Sequence, residues 1–293
     1  MKIKESNAYR AFTVCNTIFM VFLMVIMLYP MLYVLFASLS DADVLMTTKG
    51  FLLRPAGFSL SAYKATFQNP MLLSGYINTI IIVLAGVAVN LIMTAIGAYF
   101  LSRRGVMLQK YVMMMIIFTM FFGGGLIPTY LNIKRLGLDN SLLALIIPGA
   151  ISTYNLVIMR TSFQGIPESL EESAKLDGAG HLTILFRIVL PLSKAVFAVI
   201  ALYYAVGHWN SWFNAMIYLH DRDKYPLQLV LREILISNDT NSMMSGVAVG
   251  DQQTIAETIK YAIIVVATAP ILCIYPFVQK YFVKGVMVGA VKG

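Results

Sequence analysis

Charge is what this chain has least of. Asp, Glu, Lys and Arg together make up 12% of its 293 residues, where an ordinary soluble domain carries about a quarter. Hydrophobic residues reach 59% and the mean hydropathy is +0.76, which places the chain among membrane proteins. Cysteine is nearly absent. Cys15 and Cys273 stand alone with no CxxC spacing, which excludes a disulfide or cysteine–metal framework and leaves them as small hydrophobes. His181, His208 and His220 form no ligand cluster such as HExxH. Signatures of catalysis are missing too: there is no GxxxxGK[ST], GxSxG or GxGxxG, and Gly123-Gly124-Gly125 runs into Leu126-Ile127-Pro128 with no phosphate-binding lysine. The apolar stretches hold no carboxylates that could pair as acid and base. The expectation is a membrane chain without catalysis, metal or cofactor of its own, driven by energy from elsewhere.

What is present begins with six stretches free of Asp, Glu, Lys and Arg, running approximately Val14–Phe36, Tyr76–Leu101, Tyr111–Ile133, Asn140–Met159, Ala195–His220 and Tyr261–Val278. Each is long enough, at roughly 18 residues or more, to cross a hydrocarbon core of about 30 Å as a helix. A transmembrane barrel would need strands of about ten residues alternating apolar and polar, and Ile77 to Asn90 shows continuous hydrophobicity instead. The predicted fold is therefore all-α and integral to the membrane, with six transmembrane helices. The glycines at 123–125 are expected to end or break the third of these. The first stretch exceeds the 7 to 15 residues of a signal peptide's apolar region, and Pro30-Met31-Leu32-Tyr33 offers no small-residue cleavage site, so it is expected to remain as an anchor.

Six spans put both termini on one side, and the basic residues choose that side. With the termini inside, the inner segments carry 12 basic residues against 5 acidic ones, while the outer loops carry 9 against 9; Lys194 at a membrane boundary completes the net charge of +8. The whole positive balance then lies on the cytoplasmic face, as the positive-inside rule requires. The pI near 9.4 does not indicate nucleic-acid binding, because the charge flanks spans and forms no basic stripe with interleaved aromatics. The expected layout is a cytoplasmic segment at 1–13, a six-helix membrane domain at 14–283 and a cytoplasmic tail at 284–293. Within the domain lie an inner loop at 160–191 and an outer loop at 220–260. About forty residues are too many for a tight turn, so the outer loop is expected to be structured.

The inner loop is a polar island. Ile166-Pro167 suits a helix start, and Glu168, Glu171 and Glu172 follow where the helix dipole favours negative charge. A short helix from about Pro167 to Leu176 is predicted, stopped by Asp177-Gly178, with a second from about Ala179 to Ile188 leading to Leu190-Pro191. Read from these residues alone, the island could equally be an ordinary capped inner loop.

Resemblance gives it a role. Glu172-Ser173-Ala174, three residues, Gly178, nine residues, Ile188, one residue and Leu190-Pro191 resemble the EAA loop of ATP-binding cassette importer permeases, Glu-Ala-Ala-x3-Gly-x9-Ile-x-Leu-Pro, with Ser173 in place of the first alanine. Asn78-Thr79, Gly97-Ala98-Tyr99 with Ser102-Arg103, Pro128-Thr129-Tyr130 with Leu136-Gly137-Leu138, Trp209-Asn210 and the tail Gln279–Gly285 through Gly289–Gly293 are similar to the smaller permease subunit of maltose-type sugar importers. The segment Phe122–Tyr130 is similar to the branch that takes up oligosaccharides and polysaccharide fragments. The resemblance covers nearly the whole chain from about residue 60.

The resemblance implies a type I ABC importer permease fold with cytoplasmic EAA coupling helices in the bacterial cytoplasmic membrane. It implies four kinds of partner besides the lipid bilayer: a second, different permease, two ABC ATPase subunits that bind the ATP and Mg, an extracytoplasmic sugar-binding protein, and the carbohydrate itself. Glu172, Ser173, Ala174, Leu176, Asp177, Gly178 and Ala179 are the implied ATPase-coupling residues, with Glu172 as anchor and Gly178 as turn. Gly285, Gly289, Lys292 and Gly293 of the tail are implied to reach into the ATPase dimer, and Gly250, Asp251 and Gln252 to touch the binding protein. The bland alternatives are a frayed terminus and plain surface cover.

Sugars offer hydroxyls and apolar ring faces, so a path for them needs amides and hydroxyls beside aromatic rings. Asn210 with Asn214, Tyr204 with His208, His208 with Trp212, and Asn90 with Thr94 are each four residues apart, which in continuous helices puts them on shared faces. Asn90, Thr94, Tyr204, His208, Asn210 and Asn214 are thus the candidate substrate path, against the alternative that buried amides tie neighbouring helices together. Three rival functions remain open: a same-family permease for a non-sugar solute, a secondary transporter, which would need intramembrane acids or inverted repeats, and a membrane enzyme.

Overall fold

The computed structural model describes residues 6–237 and 252–290. Among the described residues every regular element is helical, and the nearest approach to a strand is one isolated bridge between Ser40 and Phe58. The helices are α1 (Asn7–Ser38), α2 (Ala42–Thr47), α3 (Ser61–Gln68), α4 (Pro70–Ser102), α5 (Gln109–Phe121), α6 (Leu126–Arg135), α7 (Thr153–Gln164), α8 (Glu168–Leu176), α9 (His181–Ile184), α10 (Leu190–Leu192), α11 (Lys194–Trp209), α12 (Phe213–Tyr218), α13 (Leu227–Ser237) and α14 (Gln252–Ala290).

Three helical stretches among the described residues are long and apolar enough to cross a bilayer: α1, α4 and Glu257–Pro276 of α14. Two more arise if bent pairs count as single spans, α5 with α6 (116° bend) and the run His181–Leu192 with α11 (90° bend). The break between α5 and α6 falls at the glycine triplet, as expected, with Gly125 at φ +84. The expected fourth span is not one helix. Asn140 adopts a left-handed φ of +55, Leu142–Leu145 form a single 3-10 turn, and helix resumes only at Thr153, capped by Ser152. Pro148-Gly149 explains the interruption, since proline removes a backbone donor and disfavours helix in the residue before it.

The chain divides into two compact units. The first comprises the described residues of Met1–Pro70 and Glu233–Pro270. In it α1 exposes apolar side chains along its length, for example Ile18, Phe22 and Met27, a surface that only lipid or protein can cover. Past its end, Ser59 N–H donates to Leu39 O (2.9 Å) and Asp41 caps α2. Tyr33 meets Tyr261 edge-on at 5.9 Å.

The second unit comprises Met71–Arg232 and the described residues of Ile271–Gly293, and α4 contributes to both of its core clusters. Toward the end of α4, Ala98, Leu101, Met159, Phe163, Ile184, Val189 and Ile200 form a core that joins α4, α7, the α9–α10 run and α11. Nearer its start, Ile82 packs with Ile133, Leu145, Ala215, Leu219 and Leu229. Gly75 lets α13 close in, because a Cβ there would lie 3.2 Å from the backbone of Leu227.

Candidate functional site

The polar island folds as an elbow. Its first helix is α8, Glu168–Leu176, with Pro167 as the preceding cap residue rather than its first turn. The helix ends as expected. Gly178 takes φ +81, its N–H donates to Lys175 O (3.0 Å), and Ala179 N–H donates to Ala174 O (2.9 Å), the paired bonds of a glycine-terminated helix. The expected second helix is shorter and irregular. Only His181–Ile184 is α-helical, and Leu185–Val189 widens into a π turn in which Leu190 N–H reaches Leu185 O. Pro191 explains this, because it has no N–H to extend the regular ladder.

The elbow has two faces. Ala174 and Ala179 pack against the chain's own core, whereas Glu172, Ser173, Asp177 and Gly178 are exposed and Leu176 is 90% exposed. The buried acid is Glu171, not Glu172: it is 5% exposed and pairs with the Arg103 guanidinium. Arg103 sits one residue past the end of α4, with its side chain 13% exposed. Its Nε donates to Ser102 Oγ (2.9 Å), its Nη2 donates to Phe163 O (2.8 Å), and its Cζ lies 5.1 Å from the Tyr99 ring centroid. Burial pushes the Arg103 pKa down from its ordinary value, while Tyr99 and Glu168 act in the opposite direction; a guanidinium stays charged through this. Leu101 O, at the end of the same helix, accepts from Arg160 Nε (2.8 Å) and Gln109 Nε2. Sequence reading missed this joint, because arginine flanking a span already has an explanation in charge topology. The one clue was three glutamates within five residues.

Four of the six candidate path residues meet in two hydrogen-bonded pairs one turn apart on α4. Asn90 and Thr94 are both 0% exposed. Asn90 Nδ2 donates to Gly149 O (2.6 Å), and its Oδ1 accepts from His208 Nε2 (2.7 Å), which fixes the proton of that ring on Nε2. Thr94 Oγ1 pairs with Tyr204 OH (2.7 Å), which also accepts from Ser152 N–H (3.0 Å). These bonds tie α4 to α11 and to the broken segment before α7, the kind of tie that buried amides and hydroxyls make between membrane helices. Gly86 leaves room for them: a Cβ there would lie 2.5 Å from His208 Nε2.

Asn210 and Asn214 do not share a helix face, and neither do His208 and Trp212. Helix α11 ends at Trp209, Asn210 caps it, and α12 starts anew at Phe213. Asn210 and Ser211 propagate a helix poorly, and the chain leaves α11 in a tighter turn in which Ser211 N–H donates to His208 O (3.2 Å). Both asparagines are exposed at this break. Beside them Arg232, which sequence reading did not select, lays its Cζ 4.6 Å from the Trp212 ring centroid.

In the 219–225 loop, Asn140 Oδ1 accepts from His220 and Asp221 N–H (3.0 and 3.2 Å), and its Nδ2 donates to Asp221 Oδ2 (2.8 Å). Lys224 Nζ reaches Asn140 O and Asp221 Oδ2, both at 2.9 Å. Hydrogen bonds from Lys224 and then Asn140, followed by the Lys224 charge, hold the Asp221 pKa below the ordinary carboxylate value. Of the remaining candidates, Gln252 starts α14 and the backbone at Gly285 and Gly289 is helical within it. Gly250, Asp251, Lys292 and Gly293 lie outside the described residues. Among the described residues, no group of three His, Cys, Asp or Glu is arranged to hold a metal.

Residues 106–288 match the model of a family described as "Binding-protein-dependent transport system inner membrane component". Protein LplC of Bacillus subtilis (strain 168) is 43% identical over 292 residues, covering 99% of this chain and 97% of that protein. From the same organism, the polygalacturonan/rhamnogalacturonan transport system permease protein YtcP is 42% identical, covering 94% of this chain and 96% of that protein. Among solved structures, a chain from the crystal structure of a bacterial ABC transporter involved in the import of the acidic polysaccharide alginate superposes with a TM-score of 0.90. It is 33% identical, and the match covers 96% of this chain and 100% of that one.

Proposed function

The chain belongs to the family of binding-protein-dependent transport system inner membrane components, and from that premise we propose that it is a permease subunit of an ATP-driven importer for an oligosaccharide or polysaccharide fragment. Relatives whose names state a cargo support the carbohydrate: polygalacturonan or rhamnogalacturonan for one and alginate for another. In this reading the chain crosses the bacterial cytoplasmic membrane six times with both termini inside. The α5–α6 pair counts as a single passage, the interrupted stretch from Leu142 to Gln164 makes the fourth, and α11 with α12 makes the fifth.

The observation that carries the reading is the two-faced elbow. Leu176 at 90% exposure, one turn from the exposed Glu172 and beside Ser173, gives the outer face an apolar side chain within a polar surround, the composition of a contact between proteins. The protein it meets is an ATPase subunit, one of two that hold ATP and Mg, since this chain has no nucleotide-binding motif. A second permease completes the pore, and an extracytoplasmic binding protein delivers the sugar. ATP binding favours closure of the ATPases, which moves the elbow and shifts the membrane helices between two conformations.

For the substrate path, the residues that fit are those at the α11–α12 break. Helix α11 has 16 residues, about 24 Å of rise, which falls short of a bilayer core of about 30 Å. The break is then still at membrane depth, where irregular backbone is tolerated only against protein or a water-filled cavity. The exposed Asn210, Asn214 and Trp212 supply amides and a ring face for a saccharide, and the half-buried Arg232 beside Trp212 supplies a cation for any carboxylate it carries.

The test is copurification with the partner permease, ATPases and binding protein, followed by ATPase stimulation in liposomes across a panel of oligosaccharides. The expected result is stimulation only by the loaded binding protein and only in the full complex. Accumulation of sugar by this chain alone would favour a secondary transporter. Stimulation by a non-sugar cargo alone would favour a permease of the same family for another solute.

A further inference from the structure

The elbow and the second membrane helix are joined by an ion pair whose two members both lie in this chain, and its position suggests a use. Resting on the reading of α8 as the ATPase contact, we propose that Arg103 is the positioning residue through which motion of α8 reaches α4. Glu171 and Glu172 then divide the work, the first facing inward to Arg103 and the second outward to the ATPase.

Neighbouring residues on a helix point about 100° apart, so one short helix can present two adjacent carboxylates to two different bodies. In α8 it does so, with Glu171 5% exposed and Glu172 on the exposed side. Arg103 uses its whole fork on rigid partners: Glu171 on α8, Phe163 O at the end of α7, and Ser102 Oγ at the end of α4. The Arg104–Glu168 pair bridges the same two elements at 3.0 Å, but with side chains 87% and 52% exposed it is screened and weak. The buried charged link from α8 itself to the end of α4 therefore runs through Arg103, beside the Tyr99 OH–His181 Nδ1 contact (3.3 Å) that joins α4 to α9. Asn90 lies 12 residues before Ser102 on the same continuous helix, about 18 Å away, and binds His208 on α11. Displacement at the elbow thus arrives, through one rod, at the polar tie that positions α11 and the α11–α12 break.

The test uses the complete importer in proteoliposomes, with sugar uptake per ATP hydrolysed and ATPase copurification measured on each variant. Glu171→Gln is expected to lower uptake per ATP by about tenfold, a size typical of coupling between sites, while the ATPases still copurify. Glu172→Gln is expected to weaken copurification instead. Arg103→Lys, which keeps the charge but loses the fork, should fall between wild type and Glu171→Gln. An unchanged uptake-to-ATP ratio in an assembled Glu171→Gln complex overturns the proposal, as does loss of ATPase binding in that variant. Failure of both Glu171→Gln and Arg103→Lys to assemble also overturns it, in favour of a purely structural bond. If the wild-type complex moves no sugar at all, the reading of the function fails, and that outcome is distinct from the others.

Discussion

Gly86→Ala adds one methyl group in a place where the structure leaves none. The new Cβ would lie 2.5 Å from His208 Nε2, 2.8 Å from Cε1 and 2.9 Å from Cδ2. All three atoms belong to a rigid aromatic ring, and its Nε2 is held by Asn90 Oδ1 at 2.7 Å. To make room, either α11 moves off α4 or the ring turns away and strands Asn90, which is 0% exposed. Overpacking of this kind costs about 1–3 kcal/mol, and the lost hydrogen bond adds roughly 0.6–1.7 kcal/mol in a membrane setting. Alanine regains up to about 1 kcal/mol of helix propensity, which leaves a net destabilisation of about 1–3 kcal/mol. Thermal unfolding of the purified complex, monitored by loss of monodispersity in detergent, should register it. The decisive arm is the double variant Gly86→Ala with His208→Ala, which removes the ring that the methyl strikes. It should be no less stable than His208→Ala alone, so the cycle should show a coupling of more than about 1 kcal/mol. Gly207→Ala is the control, because a Cβ there meets nothing within 4 Å, and it should be neutral or slightly stabilising. Additive costs in the double variant, or a silent Gly86→Ala, would refute the account of this contact.

Gly178→Val should leave the protein folded, since no atom lies within 4 Å of a Cβ there, but should strain a backbone at φ +81 by about 1–2 kcal/mol; normal transport and normal substrate-stimulated ATPase rates would show that the turn plays no part in coupling. Acid should loosen the 219–225 loop. The Asp221 pKa is depressed in the folded state, so its contribution is present at neutral pH and is lost as pH falls through the folded value; proteolytic cleavage of the loop should rise below about pH 4, and Asp221→Asn should abolish that rise. Deleting residues 285–293 should lower coupled ATPase activity without loss of assembly, and unaffected activity would return the tail to a plain terminus. Cysteines placed at Gly250 or Asp251 should crosslink to the binding protein in the ATP-trapped complex, and persistent absence of the product would count for mere surface cover.

The legible part of this molecule was the part written in local chemistry. Low charge and long apolar runs gave the helices α1, α4 and the apolar stretch of α14. The glycine triplet marked the α5–α6 break, and Gly178 marked the end of α8 at nearly the right residue. The structure departs from the expectation where one apolar run holds two elements. In Asn140–Met159 and Ala195–His220, hydrophobicity alone cannot show an interruption, and the residues responsible, Pro148-Gly149 and Asn210-Ser211, are short signals inside long ones. The spacing rule then paired Asn210 with Asn214 across a break where helical periodicity no longer holds.

By itself the sequence determined that the chain lives in a membrane and that a glycine-stopped polar helix interrupts it, because each of these follows from composition or from a few adjacent residues. Only the tertiary structure decided what the polar side chains do. Asn90 and His208 are 118 positions apart and Arg103 and Glu171 are 68 apart, so no local pattern could show that the first pair ties two helices or that Glu171, and not Glu172, is the buried acid. A polar group in a low-dielectric interior takes its role from whichever partner the fold brings within reach, and that partner is set by packing over the whole chain.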